Sequence, residues 1–211
     1  ELDRQVRERT LQLNETRMEI IRRLGRAGEF KDNETGLHVI RVSHYAGLIA
    51  REMGLDQATR DLVENVAPMH DIGKIGTPDA IITKNGPLSD DERAVINEHP
   101  AIGADIIGDH QDELLRFARD VALSHHEKWD GSGYPRGLKG EEIPLIGRIV
   151  AVTDVFDALT SKRPYKEPWP TERAWDLLKE ESGTHFDPAV VDAFIRASSE
   201  AEDILNRFAD K

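Results

Sequence analysis

The feature that most constrains the fold of this 211-residue chain is an apolar stripe in its second half. Leu145, Ile149, Val152, Phe156 and Leu159 recur at intervals of four, three, four and three. That spacing places all five on one face of an α-helix, whereas a strand would divide them between two faces. The short stretch IVAVTD inside it would pass for a strand alone, but the longer period predicts a helix. Asp154 sits within this apolar run. A carboxylate there loses much of its hydration and has to meet a cation or hydrogen-bond donors.

The rest of the chain also reads as helix. Residues 1 to about 30 are charged, lack proline, and carry sparse apolar positions (Leu2, Val6, Leu13, Ile20, Leu24) at three-and-four spacing. Arg9 and Thr16 interrupt the heptad pattern. The expectation is a helix that connects domains or dimerises. Further helices are predicted over 34–53, stopped by Gly54, and over 57–69, leading into His70-Asp71. Others follow over 89–98, where Ser89 and Glu92 form a capping pair, and over 99–108, 111–125, 170–181 and 188–208. Asp187 and Pro188 read as an N-cap and first-turn pair. The stretch WDGSGYPRGLKGEEIP is the longest turn-rich segment and is expected to be an ordered functional loop anchored by Trp129 and Tyr134. The fold class is all-α.

Composition then removes several function classes. No stretch approaches the roughly 18 apolar residues of a membrane span, and the first thirty residues are too charged for a signal peptide, so the expected location is cytoplasmic. With no cysteine, any metal must sit on His, Asp and Glu, and thiol catalysis is excluded. A net charge of −12 argues against duplex nucleic acid as a partner. A small phosphate ester stays open. The first residue is Glu, and the chain is expected to be an excerpt of a longer protein.

That leaves eight histidines to place. Glu34 and His38 lie four apart on one predicted helix and can converge on one ion, a pairing that is also common on solvated faces. His70-Asp71 and His125-His126 each follow an apolar stretch and precede a glycine-rich loop. Two adjacent imidazoles on a helix point about 100° apart, which suits two neighbouring metals better than one. His99 opens a helix before Pro100. Taken singly, each reads more readily as structural. Together these five imidazoles and three carboxylates form an oxygen–nitrogen set suited to iron, manganese or a similar divalent ion. His44, His110 and His185 read as structural.

These residues lie in the segments FKDNETGLH (30–38), HDIGKIGTPD (70–79), EHPAIGADI (98–106), HHEKWDGSGYPRGLKGEEIP (125–144), RIVAVTDVFDALTSKRPYK (148–166) and GTHFDP (183–188). In that order the sequence resembles the HD-GYP family, a branch of the HD metal-dependent phosphohydrolases whose better-known members hydrolyse cyclic di-GMP. The departures, Ile146-Gly147 and Thr77, touch no ligand position. The resemblance implies an HD-type helical core over 29–211, with 1–28 a helical connector from an upstream sensory or receiver domain. It places metal ligands on Glu34, His38, His70, Asp71, His99, His125, His126 and Asp154, with room for two or three divalent ions, iron or manganese. Asp71 and Lys74 become the expected catalytic residues; Lys74, Gly133, Tyr134, Asp157, Arg163 and Lys166 become the expected substrate contacts. The implied activity is hydrolysis of cyclic di-GMP to the linear dinucleotide, to GMP, or to both, through a hydroxide held between metals. Three rivals remain at this stage: a cyclic di-GMP sensor that does not cleave, an HD phosphohydrolase for another nucleotide, and a di-iron oxygenase on the same scaffold.

Overall fold

A computed structural model describes residues 1–29, 31, 36–162 and 167–210. Glu34, Arg163 and Lys166 therefore lie outside the described residues. Among those described, the chain is helical without a β-strand: α1 (Leu2–Glu29), α2 (Leu37–Glu52), α3 (Gln57–Val66), α4 (Asp79–Ile82), α5 (Asp90–Ile96), α6 (His99–Ile107), α7 (Glu113–Ser124), α8 (Leu145–Thr160), α9 (Thr171–Glu180), α10 (Pro188–Arg196) and α11 (Ser198–Arg207). Tight 3₁₀ turns at Ala67–Met69 and Ile72–Gly76 link α3 to α4. No described helix is long and apolar enough to cross a membrane.

The stripe on α8 is the spine of the core. Ile149, Val152 and Phe156 are fully buried, and α8 packs on α2, α7, α9 and α10. Phe156 meets Trp175 of α9 at 4.3 Å between ring centres and Phe194 of α10 at 5.1 Å, while Tyr45 of α2 closes the cluster from the other side at 5.5 Å. Truncating such a ring costs about 3–5 kcal/mol through lost burial and the cavity left behind. IVAVTD is thus helical because Phe156 and Leu159 extend its period into this cluster.

Helix ends follow the local chemistry. Ser89 and Glu92 form the expected capping box, and the Asp187 side chain accepts from the Ala189 N–H at 2.8 Å with Pro188 in the first turn. Asp56 caps α3 through the Thr59 N–H at 3.0 Å. The C-terminal run divides into α10 and α11 at the buried Ala197, a break that lets Phe194 and Ala201 face the same core.

The first helix is exposed along most of its length. Its buried positions, Ile21, Gly25, Gly28 and Glu29, all fall in its last turns, where it lies against the two 3₁₀ turns. The boundary expected at residue 28 therefore falls inside a helix that ends within the packed domain.

Candidate metal centre

The centre is built where three chain reversals meet. The helix α3 gives way to a 3₁₀ turn at Pro68, and His70 and Asp71 emerge from it almost completely buried. Gly73 follows. A Cβ there would overlap the His99 carbonyl oxygen and the Gly103 amide, so only glycine lets α6 lie directly on this turn. That contact carries His99 Nε2 to 3.2 Å from Asp71 Oδ1. Gly147, at the start of α8, performs the same service against Ser124, the residue before His125.

Each imidazole is oriented through its Nδ1. Those of His70, His99 and His125 face the backbone carbonyls of Ala67 (2.9 Å), Ile96 (2.7 Å) and Val121 and Ala122 (both 3.1 Å). A carbonyl only accepts, so Nδ1 carries the hydrogen in all three and the Nε2 lone pairs turn inward. His38 Nδ1 instead donates to Asp157 Oδ2 at 2.8 Å, and Arg41 grips the same carboxylate at 2.6 and 3.0 Å. A carboxylate behind a histidine raises the basicity of its inward nitrogen.

The inward atoms form two groups that share Asp71. Asp71, His99, His125 and His126 offer ligand atoms within 4.8 Å of one another, and so do Glu29, His38, His70 and Asp71. Asp154 Oδ1 lies 3.6 Å from His38 Nε2 and 4.0 Å from His70 Nε2. His99 and His125 oppose their Nε2 atoms at 3.3 Å. With both Nδ1 atoms already donating, two lone pairs face each other, an arrangement that a cation stabilises. His70 Nε2 and Asp71 Oδ1 are buried without a hydrogen bond of acceptable geometry among the described residues. Buried atoms of this kind need a partner, and the donor set fits divalent metal.

The electrostatics point the same way. Burial opposes ionisation of Asp71, but Lys74, whose Nζ is 2.7 Å from Oδ2, together with His70 and His125 holds its carboxyl well below the usual range. Burial lowers His70, yet the Asp71 and Asp154 carboxylates outweigh it and raise it to about 9. Burial, reinforced by neighbouring imidazoles, keeps His126 well below its ordinary value, and His125 is lowered by its own burial. Anionic Asp71 beside the neutral imidazoles of His125 and His126 is the protonation state that binds metal at that end, while an ion beside His70 would have to displace its proton.

The glycine-rich loop forms one wall. Its organiser is the buried Glu127, whose carboxylate accepts the Arg136 N–H at 2.8 Å and the Leu138 N–H at 3.0 Å. The Trp129 and Asp130 N–H groups donate to the His185 and Thr184 carbonyls at 3.0 and 2.9 Å, tying the loop to the GTHFDP turn. A Cβ at Gly133 would overlap the Lys128 amide nitrogen, so this glycine lets the loop fold over its own base. Tyr134 then stacks on His126, 4.8 Å between ring centres at 21°.

The structure thus gathers His38, His70, Asp71, Lys74, His99, His125, His126 and Asp154. Two expectations change. Asp157 is not positioned as a substrate contact: it is fully buried, and its oxygens are occupied by His38 and Arg41. His125 and His126 do not splay toward two metals, because α7 ends at Ser124 and the rings sit 4.0 Å apart in one group. Sequence reasoning missed Glu29, Arg41 and Glu127. Glu127 and Arg41 lacked a local pattern; Glu29 had one weak signal, the glycines at 25 and 28 that mark a close approach on one helix face.

A family model described as HD domain matches residues 11–190. The chain is 44% identical over 198 residues to a cyclic di-GMP phosphodiesterase response regulator of Xanthomonas campestris pv. campestris, covering 94% of this chain and 52% of that protein. It is 42% identical to a 3′3′-cGAMP-specific phosphodiesterase of Vibrio cholerae, covering 87% of this chain and 35% of the relative. The chain thus spans about half the length or less of these two relatives. Its fold matches the crystal structure of a cyclic GMP-AMP-specific phosphodiesterase from Vibrio cholerae, with TM-score 0.64, 23% identity, and coverage of 92% of this chain and 51% of that one.

Proposed function

The chain belongs to the HD-domain family, and from that premise we propose that it is a metal-dependent phosphodiesterase that hydrolyses cyclic di-GMP to the linear dinucleotide pGpG, to GMP, or to both. The observation that carries the reading is the pair of ligand groups joined through Asp71. His99, His125 and His126 would hold one ion, His38, His70 and Asp154 another, with Asp71 between them. Glu34 is the proposed ligand for a third, and iron or manganese suits this donor set. Bound there, such ions lower the pKa of water toward neutrality and polarise a phosphoryl oxygen.

The chain's own residues supply the rest. Lys74, tethered to Asp71, brings a positive charge to the phosphate and is placed to stabilise charge developing on the leaving oxygen. Tyr134, fixed over His126, offers a ring edge and hydroxyl to a nucleotide. Gly133 keeps that wall low, and Arg163 and Lys166 are the proposed further phosphate contacts. Residues 1–28 are read as the connector from an upstream sensory or receiver domain. The exposed Leu2, Val6, Leu13, Ile20 and Leu24 support a homodimer through this helix.

The test is a multiple-turnover time course with manganese or ferrous iron, resolved by chromatography, with cyclic di-GMP and 3′3′-cGAMP in parallel. Faster loss of cyclic di-GMP with product formation is expected. Binding without product would make the chain a sensor, and preference for 3′3′-cGAMP would reassign the substrate.

A further inference from the structure

The last turns of α1 meet the metal-ligand turn backbone to backbone. A Cβ at Gly25 would lie 2.5 Å from Pro68 Cβ and 2.6 Å from the Pro68 carbonyl oxygen. One at Gly28 would lie 3.0 Å from the Asp71 carbonyl oxygen and 3.2 Å from Ile72 Cα. Two glycines on one face therefore seat the helix on the His70-Asp71 turn. The next residue, Glu29, carries its carboxylate inward: it is 1% exposed, Oε1 is 3.9 Å from His38 Nε2, and it falls in one group with His38, His70 and Asp71.

This is an unfavourable place for an anion unless positive charge is near. The end of a helix carries the negative pole of its dipole, which disfavours a carboxylate there, and burial removes the water that would offset it. The ligand atom of Glu29 lies within 4.8 Å of those of His38, His70 and Asp71, where one divalent ion would draw on the carboxylate and the inward nitrogens together.

We propose that Glu29 is a ligand of the ion at the His38 end, so that the centre is completed by the connector helix. The proposal rests on the reading of this site as a divalent-metal centre, and not on its substrate. Ion affinity at that end then depends directly on how α1 is seated, whereas the His99 end meets α1 only through the shared Asp71.

The experiment uses the whole chain, stripped with chelator and titrated with Mn²⁺, with metal per chain from elemental analysis after equilibrium dialysis and thermal melts with and without metal. Glu29→Gln is expected to weaken one binding event by at least about tenfold, keep the ion lost in His99→Ala, and shrink the metal-induced rise in Tm without lowering the apo Tm. Glu29→Asp, which keeps the charge on a shorter arm, should be intermediate. Gly28→Ala, which unseats the helix but retains Glu29, should weaken the same event. Wild-type stoichiometry and affinity in Glu29→Gln would overturn the proposal. So would a lowered apo Tm with an undiminished metal-induced rise, the signature of a packing role. Glu34→Gln run in parallel separates the two carboxylates. None of these readings needs cyclic di-GMP: metal binding lost in Glu29→Gln, in a wild-type chain that cleaves no cyclic dinucleotide, keeps this inference and discards the substrate.

Discussion

The two ends of the centre differ in how His38 and its counterparts His99 and His125 are held. At one end, His99 and His125 lock their Nδ1 atoms onto carbonyls three or four residues back in their own segments. At the other, His70 is held in the same local way by the Ala67 carbonyl, but His38 depends on Asp157, 119 residues away, and Asp157 depends on Arg41. The first anchorage is local and forms with the helix terminus; the second exists only after α2 has packed on α8. The His99 end should therefore tolerate changes at the contact between α2 and α8, and the His38 end should not.

The largest effect breaks both ends together. Asp71→Ala removes the shared carboxylate, and hydrolysis should fall below detection while far-UV circular dichroism stays native. Near wild-type turnover in metal-stripped Asp71→Ala would sink the mechanism.

Asp157→Asn separates the ends. It leaves His38 without its carboxylate and the buried Arg41 with Asp210 as its remaining counter-charge, so the loss should stay below the ~3–5 kcal/mol of a fully unpaired buried charge. Denaturant melts should show that loss. Metal titration should show affinity at the His38 end lower by about 10–100-fold, with the His99 end unchanged. Equal weakening of both would erase the distinction between local and distant anchorage.

A pH series sharpens the same point. Burial would raise the Asp157 carboxyl, but His38 and Arg41 outweigh it and hold it below its ordinary value. A depressed folded pKa gives stability that is present above the unfolded value of about 3.9 and is lost as pH falls through the folded value. Wild type should lose stability across that acid window, and Asp157→Asn should have a flatter profile there. Parallel profiles would remove Asp157 from the account.

The smallest effect concerns the loop beside the His99 end. Glu127→Ala strands the Arg136 and Leu138 N–H groups, costing about 1–3 kcal/mol where they are screened from water. Tyr134 should lose its fixed stack on His126, raising KM more than it lowers kcat. A fall in kcat alone would show that the loop positions the ligands rather than the substrate.

Much of the helical plan was legible because it is written in short-range patterns. The α8 stripe, the Ser89–Glu92 capping box and the Asp187-Pro188 start each need only neighbours within a turn or two. The candidate ligands could be nominated, since a histidine beside an aspartate after an apolar run is visible in one dimension. Their grouping was less legible. The 100° argument for His125-His126 failed because it assumed a helix that stops at Ser124. Asp157 looked like a substrate contact from its neighbourhood, and nothing local marks Arg41 as its partner.

The amino-acid sequence by itself determined the all-α class, the absence of thiolate chemistry, and the oxygen–nitrogen character of the site, because these follow from residue type and from periods of three and four. Only the tertiary structure decided that Asp71 stands between two ligand groups, that Asp157 serves His38, and that the first helix ends with Glu29 beside the centre. Those relations depend on close backbone approaches at Gly28, Gly73 and Gly147 between segments far apart in the chain. Such contacts have no period, so they arise only when the helices pack.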